Sequence, residues 1–431
     1  SPELKFQIEQ NDIRIAARTV RQNVLLEDML ADPKIKIQYA SKYSGSSNGW
    51  KKWQGMKLAF DKLNIIGRAE QEEKDFMAWV KADKKRTALY GEAVSEISKS
   101  VKEMKETDLA FTLAYEALYC LELPKFAGNF NGTFQRGLKE GKDTVEALNA
   151  AYAAIAPLYK DYSAKTDTEV MKALLKFYRE NAAEANYPKG ICEDFAALDI
   201  DAWVDNLFAN SSFTSLEKLQ EAMKEKKGET ANDPAAAAFK SFSTEVFKPY
   251  GAIQKLRAQL AESRQAYTAG LLEWKKGEPS YPDANFTMRL TYGTVKGYSP
   301  KDGVLYRHYT TLKGVMEKED PNNWEFVVPA KLKELYDAQD FGQYAMADGR
   351  MPVAFLSNND ITGGNSGSPI MNAKGELIGL AFDGNWESMS SDVMFEPDLQ
   401  RCINVDIRYV LFIVEKFGGA KWLVDEMEIV K

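Results

Sequence analysis

The chain is short of several residues on which active sites and scaffolds often depend. Its 431 residues include one histidine, His308, and three cysteines, Cys120, Cys192 and Cys402. Three cysteines, widely spaced and odd in number, give neither a disulfide framework nor a metal-ligand spacing, and read as separate thiols. No metal site and no cofactor is expected. Apolar runs never approach the roughly 18 residues of a membrane span, and no basic-then-apolar leader is present. A basic excess is missing too: 56 Lys and Arg stand against 63 Asp and Glu, a net charge of -7. Nucleic acid is therefore not an expected partner. No repeat of fixed period appears. Ser1-Pro2-Glu3 opens straight into a helix, with neither Met nor a leader, so the chain is expected to be part of a longer protein. At 45% hydrophobic and 28% charged residues the composition is that of a globular protein, long enough for two or three domains.

What is present changes character once. In the first part, Ile13, Ala17, Val20 and Val24, and later Leu109, Leu113 and Ala117, recur at helical spacing. Thr214 and Glu217 have the spacing of a capping box. Residues 235–238 read as a helix start, and residues 253–274 as one long helix. Pro33, Pro124, Pro157, Pro188, Pro234 and Pro249 fall at helix breaks. Around residues 277–282 the pattern turns to alternation. Phe286, Met288, Leu290 and Tyr292 alternate with Thr287, Arg289 and Thr291, which predicts a strand with one buried face. Further short apolar runs at 326–328, 353–356, 376–382 and 402–405 read as strands, with a tight reversal at 372–375. Residues 408–428 read as a helix packed on the sheet. The expected fold is α+β: a mostly helical domain, residues 1–276, followed by a β-domain, residues 277–431, with a C-terminal helix.

Chemistry concentrates in Asp360-Ile361-Thr362-Gly363-Gly364-Asn365-Ser366-Gly367-Ser368-Pro369. A serine becomes a nucleophile only when a base takes its proton and fixed donors hold the oxyanion. Glycines beside Ser366 allow the sharp turn this needs, with the Gly364 and Ser366 amides as candidate donors. Taken alone, a Gly-x-Ser-Gly string is often just a polar turn, and the β-pattern around it favours the functional reading.

The motif resembles the Gly-Asp-Ser-Gly-Gly-Pro of chymotrypsin-like peptidases. The chain as a whole resembles the bacterial dipeptidyl-peptidase 7 and dipeptidyl-peptidase 11 family, more closely the former branch. The similar stretches are Ile37-Gln38-Tyr39-Ala40-Ser41-Lys42-Tyr43, Ser47-Asn48-Gly49-Trp50-Lys51, residues 360–369, Phe382-Asp383-Gly384-Asn385-Trp386-Glu387 and residues 405–412. The resemblance implies a helical domain inserted between two β-barrels, with residues 277–431 as the second, chymotrypsin-like barrel. It implies release of dipeptides from peptides with a free N-terminus, in the periplasm or at the cell surface. Ser366 would be the catalytic serine, and Asn48 and Asp383 would hold the substrate's ammonium group. By residue chemistry alone, Asn48 would be a helix cap and Asp383 a turn residue.

Gly384 stands where the acidic-specific branch carries an arginine, so the resemblance implies a pocket for an apolar or aromatic second residue. Asp360, six residues before Ser366, keeps a preference for Lys or Arg open. Asn365 replaces the aspartate that pairs with a newly cut amine in zymogens, so activation by trimming is not expected. The histidine and aspartate of a Ser-His-Asp triad would come from the first barrel, upstream of this chain. His308 matches no base motif and reads as an ordinary strand or turn residue. The chain alone is therefore expected to be inactive and to leave an apolar face exposed or covered by another chain. Expected partners are the missing N-terminal β-barrel and peptide substrates, with a homodimer left open. A catalytically incomplete peptide-binding protein is the competing reading, and a purely structural helical protein leaves the Ser366 turn unexplained.

Overall fold

Short polar side chains start most helices in the first part of the chain. Asp143 Oδ1 accepts the Val145 and Glu146 amides at 2.8 and 2.9 Å and begins Thr144–Ile155. Ser163 and Asp199 do the same for Ala164–Asn181 and Ile200–Asn210, satisfying amides that no helical carbonyl can reach. Asp233 caps Pro234–Phe247, whose proline sits in the first turn, and also takes Ser211 Oγ and the Ser212 amide at 2.7 Å. The expected cap at Thr214 is displaced by one residue. Thr214 ends a 3-10 turn, and Ser215 Oγ accepts the Lys218 amide at 3.3 Å ahead of Leu216–Lys226.

The structure, a computed structural model, describes residues 1–226, 229–278, 280–282 and 287–430. It divides into two units: Ser1–Gln54 with Ile66–Glu278, and Gly55–Ile65 with Pro279–Lys431. The segment Gly55–Ile65, helical in pattern, thus belongs with the later residues. In the helical unit, Phe126, Phe130 and Phe134 recur every fourth residue on Glu122–Lys139 and join Leu174, Leu175, Phe213 and Phe242 in one buried cluster. Asp167, 2% exposed, caps that helix from outside it, accepting the Leu123 amide at 2.8 Å and the Glu122 amide at 3.2 Å. Burial, with the charge of Glu122 added, pushes its carboxyl up to about 7.

In the second unit, β1 (Tyr298–Lys301) and β2 (Val304–Tyr306) form a hairpin. A five-stranded antiparallel sheet follows, built from β3 (Tyr309–Thr311), β4 (Pro352–Ser357), β5 (Pro369–Met371), β6 (Leu377–Gly384) and β7 (Cys402–Asp406), in the order β3-β4-β7-β6-β5. The reversal at 372–375 joins β5 to β6: Gly375, at φ +80°, donates to Asn372 O at 3.0 Å. Ile407–Phe412 and Lys421–Asp425 pack Leu411, Phe412 and Val424 against Leu312 and Met351, with a break at Gly418 and Gly419.

Two expected strands are not formed. Phe286 lies outside the described residues, and residues 287–292 are irregular, with Met288, Leu290 and Tyr292 at 101, 87 and 90% exposure. Among the described residues their alternation meets no neighbouring strand, and an unpaired strand has no partner for its amides. Pairing begins only at Val295, bridged to Ser357. Residues 326–328 fail for another reason: Phe326 ends a 3-10 turn and Pro329 caps Ala330–Asp337, so both ends of the apolar run are taken up by helical elements.

Candidate active site

Ser366 sits in a turn made by two glycines and held by neighbouring strands. Gly364 and Gly367 take φ +100° and +83°, conformations that side chains strain against. Asn365 N donates to Thr362 O at 3.2 Å, Ser368 N to Asn365 O at 2.9 Å, and Asn365 Oδ1 accepts the Thr362 amide at 3.1 Å. Asn365 therefore holds the turn with its side chain. Gly367 N donates to Ala381 O at 2.6 Å and Ala381 N to Ser368 O at 2.9 Å, which fastens the turn to β6. Thr362 Oγ1 adds a bond to Asp392 at 3.0 Å. Ser366 is left exposed, and the Gly364 and Ser366 amides have no acceptor among the described residues. An exposed hydroxyl beside two uncommitted amides is what the nucleophile half of an acyl-transfer site requires.

On β6 the register with β7 slips at Phe382: Ala381 faces Asn404 and Asp383 faces Ile403. A bulge of this kind re-aims side chains, and both Phe382 and Asp383 are exposed. Asp383 Oδ1 accepts the Gly384 amide at 2.8 Å. The space expected at Gly384 is not empty. A Cβ there would collide with Ser388 Oγ and lie 3.2 Å from Met389 Cε, and Ser388 Oγ is held by Asn385 O at 2.7 Å.

The segment after Gly384 is buttressed by residues that the sequence pattern did not single out as functional. Asn385 Nδ2 donates to Leu399 O at 2.7 Å, and its Oδ1 accepts the Arg401 amide at 2.9 Å. Glu387 takes Lys62 Nζ at 3.2 Å and the Tyr298 hydroxyl at 3.1 Å. Gly55 lets the segment Gly55–Ile65 approach closely, since a Cβ there would lie 2.5 Å from Met389 Cγ. Arg401, 1% exposed, gives all five guanidinium donors to backbone carbonyls, those of Lys296, Gly297, Pro397, Asp398 and Gln400. Asn385 and Glu387 stood inside the 382–387 run, but their partners are too far along the chain for local pattern to show.

The remaining expected residues fall as follows. Asn48 is an exposed residue inside the helix Pro33–Lys62, so the expectation of a helix cap is corrected. It belongs to the helical unit and Asp383 to the other. Asp360 Oδ2 accepts the Tyr281 hydroxyl at 2.7 Å, a bond that raises the phenol to about 12. His308 lies in a bend between β2 and β3 and lines a cavity of about 460 Å³ with Tyr298, Tyr306, Arg307 and Arg401. No residue of the Ser366 turn lines that cavity. Burial raises the thiols of Cys120, Cys192 and Cys402, the last to about 11, so none is a ready thiolate nucleophile near neutral pH. Among the described residues, no group of three or more His, Cys, Asp or Glu is placed to hold a metal, and no helix is long and apolar enough to cross a membrane.

With the geometry in view, three comparisons with known proteins agree. The family model described as Peptidase S46 matches residues 1–429. Dipeptidyl-peptidase 7 of Phocaeicola vulgatus is 46% identical, over 98% of this chain and 59% of that protein. The Asp/Glu-specific dipeptidyl-peptidase of Porphyromonas gingivalis is 41% identical, over 97% of this chain and 59% of its own length. The crystal structure of Porphyromonas endodontalis DPP11 in complex with the dipeptide Arg-Glu superposes with a TM-score of 0.88 at 37% identity, covering 99% of this chain and 61% of that one. The chain thus spans about three fifths of the length of these relatives.

Proposed function

The chain belongs to the peptidase S46 family, and on that premise we propose that it is the nucleophile-bearing part of a serine dipeptidyl-peptidase acting on peptides with a free N-terminus. The observation that carries this is the turn at 362–367, with Ser366 exposed beside two amides that have no acceptor among the described residues. Ser366 Oγ attacks the carbonyl of the second residue as a base takes its proton. The Gly364 and Ser366 amides hold the oxyanion, the peptide amine leaves protonated, and water releases the dipeptide from the acyl-enzyme. Asn48 and Asp383 receive the substrate's ammonium through an amide oxygen and a carboxylate. That anchor sets the scissile bond after the second residue.

The base and its orienting carboxylate come from a preceding β-barrel. Residues 1–276 act as the substrate-capping domain and residues 277–431 as the second barrel. A neutral Gly384 favours an apolar or aromatic second residue, and the Tyr281 hydroxyl on Asp360 weakens the case for Lys or Arg. The working site is the periplasm or cell surface.

The test compares dipeptidyl reporters ending in Leu, Phe, Asp, Glu, Lys and Arg, with free and with acetylated amines, on the complete enzyme. Release from free-amine Leu and Phe reporters only is the expected result. Equal cleavage of acetylated reporters would remove the ammonium anchor, and preference for an acidic or basic residue would overturn the apolar pocket. Binding of free-amine peptides without any release would favour a catalytically incomplete binding protein.

A further inference from the structure

Gln400 is a buried carboxamide with one end unanswered. It is 1% exposed, and its Nε2 donates to Met394 O at 3.0 Å and Ser390 Oγ at 3.3 Å. Its Oε1 has no partner among the described residues. Met394 O can only accept, so turning the carboxamide over would set oxygen against oxygen, and the acceptor end is fixed in place. A buried acceptor left unmet in a native protein calls for an occupant. Gln400 lines a void of about 10 Å³, the threshold for a single water.

Several of the other walls belong to segments that flank the site. Asn359, Asp360 and Ile361 lead directly into the turn that carries Ser366, and Ser388 is the residue whose Oγ holds the space beside Gly384. Arg401 also borders the void, but its donors are all committed to carbonyls. Asp360 is a further wall, and one of its carboxylate oxygens accepts the Tyr281 hydroxyl. Among the described residues, the lining holds no cation with an uncommitted donor.

Resting on the functional reading above, we propose that Gln400 determines specificity at the floor of the pocket for the substrate's second residue. Its Oε1 accepts a hydrogen bond from a hydroxyl at the tip of that side chain, so that tyrosine is preferred over phenylalanine. A phenolic oxygen takes the place of a water in the void. An apolar tip leaves the acceptor to that water, and a carboxylate tip meets acceptor against acceptor and is rejected.

The experiment measures kcat/KM of the complete enzyme for free-amine reporters ending in Tyr and in Phe. Wild type should favour Tyr by about three- to tenfold. Gln400→Met, similar in length but without the acceptor, should bring the ratio to about one, and Gln400→Glu, which keeps an acceptor there, should retain it. A merely structural role would lower both reporters alike in both variants and would overturn the assignment. So would a wild-type ratio near one, which needs no variant to fold. If wild type releases no dipeptide from any reporter, the functional reading fails and this inference with it. Release without Tyr/Phe discrimination overturns this inference alone.

Discussion

The helical unit closes on itself and the sheet unit does not. In the first, residues from Leu25 to Val246 bury their apolar side chains in one continuous cluster, and most helices start on caps supplied within a few residues. In the second, a smaller cluster around Leu312, Phe341 and Phe412 is buried, while Met288, Leu290 and Tyr292 stand almost wholly in solvent. The difference is one of backbone chemistry. A helix satisfies its amides inside its own segment and needs only a surface for its apolar face, whereas a strand needs a neighbour for both. The Ser366 turn sits in the unit whose strands depend on distant partners.

Three measurements bear on this difference between the units. The largest effect belongs to the helical core: Phe130, 0% exposed, truncated to Ala should cost about 3–5 kcal/mol, read as a lowered denaturant midpoint. A loss below about 1 kcal/mol would mean the cluster is looser than its burial shows. An intermediate effect is expected from Asp167, whose carboxyl is raised by burial from the ordinary 3.8 to about 7. The folded unit holds this proton more tightly than the unfolded chain does. Its contribution is therefore full below the ordinary carboxylate pKa and is lost as pH rises through about 7. Asp167→Asn has no proton to lose, so the fall in stability over that window should shrink; an unchanged slope would assign it to other groups. The smallest effect is at Leu290, 87% exposed. Leu290→Ser in this chain should change stability by less than about 0.5 kcal/mol. In the complete enzyme the same change should cost about 1.5–3 kcal/mol if the first barrel covers this face.

The same contrast explains what the sequence made legible. Local signals carried the helices: the 253–274 periodicity became Tyr250–Trp274, and the alanine run a helix start at Pro234. Thr214 and Ser215 both offer a hydroxyl, and pattern alone could not choose between them. The alternation at 287–292 is a sound strand pattern, but a period of two states which faces differ and says nothing of whether a neighbour exists. At the site, the turn was readable because its glycines and its serine are contiguous. At Gly384 the sequence shows a missing side chain, and the fold adds that Ser388 Oγ stands where a Cβ would lie. Arg401 was invisible in the sequence for a different reason. Its bonds include carbonyls that nothing in local spacing links to it, Lys296 O lying 105 residues away.

The most direct test concerns Ser366 as the nucleophile of a dipeptidyl-peptidase. The measurement is kcat/KM for a free-amine dipeptidyl reporter on the complete enzyme with Ser or Ala at position 366, alongside the melting temperature of each. Because Ser366 is exposed, both forms should melt alike, and Ser366→Ala should lose activity by at least about ten-thousand-fold. Ordinary turnover by a folded Ser366→Ala enzyme would contradict the assignment.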